Sequence, residues 1–214
     1  MSTFDLFGQP PGRDRRLIAG VVVGIVVDNK DPNHLGRIKI KFPGLSGDEI
    51  GHWARLATFM AGKEQYGAFF LPEVDDEVLV AFEHGEITRP YIIGALWNNV
   101  DKPPADNANG ENNLRFIKSR SGHLVRLDDT DGSEKIEIID KSGKNSLTFD
   151  TANNTITIKS DKDVVIEAPN GKISLSAKDI EIKSSAATKV EAQSAMDLKA
   201  SANMTIKGQM VNIN

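Results

Sequence analysis

The chain has 214 residues, no cysteine and a formal net charge of −4, with a pI near 5.6. That length allows one ordinary domain, or a small domain plus an extended element. The missing cysteines exclude a disulfide framework and thiolate metal sites, and the slight acidic balance argues against non-specific binding to nucleic acid or anionic lipid.

The first 16 residues place Phe4, Leu6 and Phe7 among polar neighbours, too few apolar groups for a core of their own. They are expected to order only against a partner. Arg13 to Arg16 then precede an apolar run from Leu17 to Val27, a basic-then-apolar order that a signal peptide would share. The run is rich in Val and Ile, too short to span a bilayer, interrupted by Gly20 and Gly24, and followed by no Ala-x-Ala site. It is expected to be a strand whose glycines permit a bulge.

Arg37 to Phe42 alternates charged and apolar side chains, which puts Ile38, Ile40 and Phe42 on one buried face. Glu77–Phe82 and Pro90–Trp97 are further strand candidates, separated by turn-forming runs such as 29–33 and 83–85. About five short strands without helical period predict a small barrel over residues 17–99. Residues 100–113 are polar and turn-rich, and read as a linker.

Beyond the linker the chemistry changes. No arginine follows Arg126 and no aromatic residue follows Phe149, so an ordinary globular core is not expected there. Wider apolar pairs at Val125/Leu127, Ile136/Ile138 and Leu147/Phe149 mark 114–152 as transition strands. From 153 to 214 the pairs Ile156/Ile158, Val164/Ile166, Ile173/Leu175, Ile180/Ile182, Thr188/Val190, Met196/Leu198, Met204/Ile206 and Val211/Ile213 recur every seven to nine residues. A fixed short period of strand-like pairs is the signature of a β-solenoid or intertwined β-helix. Two inward side chains per unit bury too little apolar area to offset the ordering entropy of the unit, so stability must come from stacking many units, in one chain or several. The outward residues carry 8 Lys against 7 Asp/Glu, which favours solubility without a strong field.

Catalytic and metal-binding readings find little support. Asp75, Asp76 and Glu77 are adjacent in a strand entry, where neighbours point to opposite faces rather than into one pocket. Aligning Gly132 with the glycine of a calcium loop puts Leu127 and Ile138 where oxygen ligands are needed, so Asp131-Gly132 is better read as a type I′ hairpin turn. His34, His52, His84 and His123 are widely spaced, with no His-x-His pair. No cofactor and no metal are expected.

Several segments closely resemble one family: Gly20 to Pro32, Leu35 to Pro43, Trp53 to Ala57, Phe70 to Gly85 and Arg89 to Asn98 are similar to the OB-fold domain of VgrG and phage baseplate assembly protein V spikes. Arg120 to Ile138 resembles that family's entry into its needle. The resemblance implies an all-β homotrimer: three OB-fold barrels above a triple-stranded intertwined β-helix, acting as a membrane-piercing spike of a contractile machine and not as an enzyme. With about 16 residues before the barrel and no lysozyme-like insertion, the chain resembles the short phage-type form, whose hub is a separate protein. On this reading Phe4, Leu6 and Phe7 meet the hub. Met210, Val211, Asn212, Ile213 and Asn214 would meet a PAAR-type tip protein, because no histidine lies beyond His123 to make a metal apex. The spike would be made in the cytoplasm, built into a baseplate and delivered to a target outer membrane, with no nucleic acid bound. The rival expectation is an OB-fold module that binds nucleic acid or polysaccharide on a monomeric β-solenoid stalk.

Overall fold

A computed structural model describes residues 17–45 and 51–213. It is all-β, with a closed barrel followed by a separate antiparallel sheet. The barrel is built from β1 (Val21–Asp28), β2 (Ile38–Lys41), β3 (His52–Leu56), β4 (Glu77–Phe82) and β5 (Pro90–Leu96), hydrogen-bonded in the order β1-β2-β3-β5-β4. A parallel pairing of Arg55 and Leu56 with Tyr91 and Ile92 closes it, so no strand edge of the barrel is left over.

The alternation in the sequence is the reason for this closure. In β4 every second residue, Val78, Val80 and Phe82, is buried, and Ile38, Ile40 and Phe42 fill the same interior with Val26, Ala54 and Ile92. Phe42 and Phe82 meet with ring centroids 5.2 Å apart and planes inclined by 59°, the tilted arrangement that aromatic quadrupoles favour. Gly24 faces Phe42 and Val80. A Cβ there would sit 3.2 Å from Val80 Cγ2 and 3.4 Å from Phe42 Cε1, so the missing side chain makes room for the core. The irregularity of β1 lies elsewhere than the sequence suggested: its register against β2 shifts between Val26 and Asp28, away from both glycines. A second shift, between Leu79 and Val80 against β5, leaves Ile93 as the extra residue.

The five-residue β3 carries His, Trp and Arg and has no clean alternation, which is why the sequence did not mark it as a strand. Its position is secured from outside by the β1–β2 loop. Asp31 is nearly buried, and its carboxylate accepts five hydrogen bonds: from the backbone N–H groups of Asn33, Leu35 and Arg37, and from Nε and Nη2 of Arg37. The Arg37 guanidinium in turn lies over the Trp53 ring of β3, 5.6 Å from its centroid. One carboxylate thus ties loop, β2 and β3 together.

The second sheet is a meander of β6 (Leu114–Lys118), β7 (Leu124–Asp128), β8 (Lys135–Ile139), β9 (Ser146–Asp150) and β10 (Thr155–Lys159). The β7–β8 connection is a hairpin as expected, but not through a type I′ turn. Only Gly132 has positive φ, at 71°, and the turn is closed by Ser133 N–H donating to the Thr130 carbonyl at 2.8 Å. Six residues separate the strands, and a loop of that length does not require two successive positive-φ residues. Residues 160–213 form a unit of their own with no assigned strand.

The hydrogen bonds from Arg37 hold the Asp31 carboxyl well below its ordinary value of 3.8, the backbone donors adding to the effect and burial opposing it. A carboxylate whose folded pKa is depressed contributes stability that is present above its ordinary pKa and is lost as pH falls below it. Asp31→Asn is therefore expected to lower the urea midpoint of the barrel at pH 7 and to shrink its further drop between pH 5 and pH 3, both read from tryptophan fluorescence. An unchanged midpoint at pH 7, or an unchanged acid-induced drop, would show that the carboxylate is not a pin.

Candidate assembly surfaces

The meander's register sorts its side chains into two faces. Reading across the strands, Ile117, Val125, Ile138, Leu147 and Ile158 form one row, and Leu127, Ile136, Phe149 and Ile156 form the next. Both rows lie on the same face, because successive residues of a strand alternate sides. The sequence pairs Val125/Leu127, Ile136/Ile138, Leu147/Phe149 and Ile156/Ile158 are therefore a single apolar ladder. It is uncovered: Leu147 is half-buried, and the other eight are 38–67% exposed. The opposite face is mixed, with Phe116 beside an Arg126–Glu137 ion pair and a band of threonine and lysine toward β10.

Residues 161–213 carry the same exposure further. Every described residue there is exposed, among them Val164, Ile166, Ile173, Leu175, Ile180, Ile182, Val190, Met196, Leu198, Met204 and Ile206. Two ion pairs reveal the local geometry. Glu181 and Lys183 flank Ile182 and join at 2.6 Å, and Lys189 and Glu191 flank Val190 and do the same. Residues two apart share a side only in an extended backbone, so the charges lie on one side and the apolar residues on the other. Such a backbone carries a donor and an acceptor at almost every residue. Within this unit the few backbone partners that exist are local turns, as at Gly171 with Ala168.

Met210, Val211, Asn212 and Ile213 are exposed as well, whereas Phe4, Leu6, Phe7 and Asn214 lie outside the described residues. The three carboxylates at the start of β4 do not form a pocket: Asp75 takes positive φ at 75°, and Asp76 Oδ2 accepts the Glu73 N–H at 2.8 Å, closing a turn. Among the described residues no group of three or more His, Cys, Asp or Glu side chains could hold a metal ion. None of their helices is long and apolar enough to cross a membrane.

One surface was not legible from sequence. Between β3 and β4 the chain makes an excursion closed by Ala68 N–H to the Met60 carbonyl (2.9 Å) and Thr58 Oγ1 to the Ala68 carbonyl (2.9 Å). It displays Phe59, Tyr66, Phe69 and Phe70 to solvent. Its only sequence signal was four aromatic residues in twelve, without period.

Residues 22–97 match the Type VI secretion system/phage-baseplate injector OB domain. The chain is similar to the Type VI secretion system spike protein VgrG3 of Vibrio cholerae, 33% identical over 98 residues, which is 44% of this chain and 9% of that protein. It is also similar to VgrG5 and VgrG1a, spike proteins of the same system in Pseudomonas aeruginosa. VgrG5 is 28% identical over 54% of this chain and 16% of its own length, and VgrG1a is 26% identical over 62% and 22%. The chain thus spans less than a quarter of the length of these relatives.

Because Ile138 is half exposed in one copy, Ile138→Asn should leave the barrel's urea midpoint unchanged. If the ladder is buried in an assembly, the same change should weaken association by about 1–3 kcal/mol per copy, read by sedimentation equilibrium. Unaltered association would show that this face is not used.

Proposed function

With residues 22–97 an injector OB domain of the VgrG and phage-baseplate spike family, we propose that this chain is the structural central spike of a contractile phage tail or a related contractile injection system. Three copies wind their repeats, from Ile156 through Ile206, into one triple-stranded β-helix beneath three barrels. The observation that supports this most is the state of residues 162–213: extended, apolar on one side, charged on the other, and forming no strand pairing among the described residues. Extended backbone of this kind is satisfied by strands from other copies, and apolar pairs at a short fixed period are covered when those strands wrap a common axis.

The role follows from the mechanics of such a rod. A continuous ladder of backbone hydrogen bonds around one axis has few free edges and resists bending. Alternating surface charge keeps it soluble. Contraction of other components drives it through a target cell envelope, and the spike itself breaks no bond. The hub is bound through Phe4, Leu6 and Phe7, and a PAAR-type tip protein through residues 210–214. Another relative is the actin cross-linking toxin VgrG1 of Vibrio cholerae, of which this chain covers 10%.

Native mass spectrometry of the purified chain is expected to give a trimer, and a monomer at micromolar concentration would refute the spike. Ile182→Asp places a charge in the proposed needle interior, and should prevent needle assembly while leaving the barrel's urea transition, read by tryptophan fluorescence, in place. A variant that keeps its needle would overturn the inward register.

A further inference from the structure

The meander sheet is polarised in charge from one end of its strands to the other. One end comprises the β6–β7 and β8–β9 turns with the adjoining strand termini. It carries Lys118, Arg120, Lys141, Lys144 and Lys159 against the single carboxylate Asp140. The opposite end, with the β7–β8 and β9–β10 turns, carries Asp128, Asp129, Asp131, Glu134 and Asp150 against Arg115 and Lys135. Ordinary hairpin turns are polar, but their charges have no reason to segregate by end through four successive connections.

Local contacts do not erase this difference. At the basic end, Arg120 Nη1 reaches Glu73 of the barrel at 3.0 Å. Lys118 and Lys141 remain exposed. At the acidic end Arg115 pairs with Asp129, while Asp128 and Asp150 accept hydrogen bonds from Thr130 and Asn153, which favour their ionised forms. The Ser142 hydroxyl and Asn145 hold Asp140 down to about 2, so it stays ionised at neutral pH and offsets one of the five cations at the basic end, which keeps its positive excess. Five residues of strand separate the two ends by roughly 17 Å, about twice the screening length at physiological salt, so the ends of one sheet do not attract each other.

We propose that the basic end of each sheet docks against the acidic end of the sheet in a second copy of this chain, head to tail. This rests on the trimeric reading above and deepens it by assigning the contact that sets the order of the copies. Two features of the sheet favour a second copy as the occupant. Its apolar ladder runs uninterrupted between the two ends, so copies that turn this face to a common axis bring unlike ends together at each corner. A heterologous contact of this kind closes into a ring when the rotation closes. Charge complementarity also suppresses the reversed arrangement, in which like ends would meet. A groove of about 490 Å3 at the basic end, bordered by Ile117, Val125, Ile138 and Leu147, gives the neighbour's turn an apolar seat beside the lysines.

The test uses charge reversal in the full chain. Lys118→Glu with Lys141→Glu should weaken assembly at low salt by at least about tenfold, and Asp129→Lys with Asp131→Lys should do the same, each loss fading at high salt. Combining all four reversals restores complementarity between copies and should restore assembly. Because the two ends are too far apart to couple within a chain, rescue would identify a contact between chains. As a second measure, Lys141→Cys and Asp131→Cys in one chain, which has no other cysteine, should oxidise to covalent dimers and trimers. Normal assembly by both reversed variants, or failure of the fourfold variant to recover, would overturn the docking proposal while leaving a trimeric spike intact. A wild-type monomer would instead refute the spike reading itself.

Discussion

An extended backbone presents one donor and one acceptor at almost every residue, and each must find a partner or stay in water. In this chain that requirement is met locally in the barrel and the meander and left open beyond them. From Lys162 to Ile213 the chain is extended enough for Glu181 to reach Lys183 across Ile182, yet among the described residues it forms no strand pairing. The proposed function grows from this open requirement, because the most economical way to meet it is to supply the missing strands from identical chains.

Self-sufficiency declines along the sequence in three stages, each visible in specific residues. The barrel closes its own edges, buries Phe42 against Phe82 and fastens its β1–β2 loop with Asp31 and Arg37. The meander satisfies its backbone from strand to strand but leaves the ladder from Ile117 to Ile158 uncovered on one face. The repeat unit leaves its apolar pairs exposed and, among the described residues, pairs its backbone only in local turns. A gradient of this kind suits a protein whose first part must fold alone and whose last part gains its structure on assembly. The segregated charges at the two ends of the meander stand at the middle of that gradient, where copies would first be brought into order.

Much of this was legible in the sequence because the physics concerned is periodic. Ile38, Ile40 and Phe42, or Val78, Val80 and Phe82, announce a buried strand face by their spacing alone, and β4 begins and ends where the alternation does. The apolar pairs of the second half were equally plain. What escaped was aperiodic. The five-residue β3 owes its place to Arg37 stacking on Trp53 and to a parallel pairing with β5, neither of which leaves a local pattern. The bulge of β1 is set by register against β2 and not by the nearby glycines, and the turn at Gly132 depends on a six-residue loop length and not on the dipeptide itself. The charge polarity of the meander was hidden for a different reason. Lys118 and Lys141 are 23 residues apart and meet at one end only once the strands have been folded back on each other.

The central claim is that residues 160–213 obtain their backbone hydrogen bonds from other copies of the chain. Amide hydrogen exchange of the purified assembly, followed by mass spectrometry at peptide resolution, tests this most directly. The account predicts that peptides spanning Val164 to Ile206 are protected at least as strongly as those of β4 and β5, and that protection falls away when the assembly is dissociated. Rapid exchange throughout this segment in the intact assembly would contradict it.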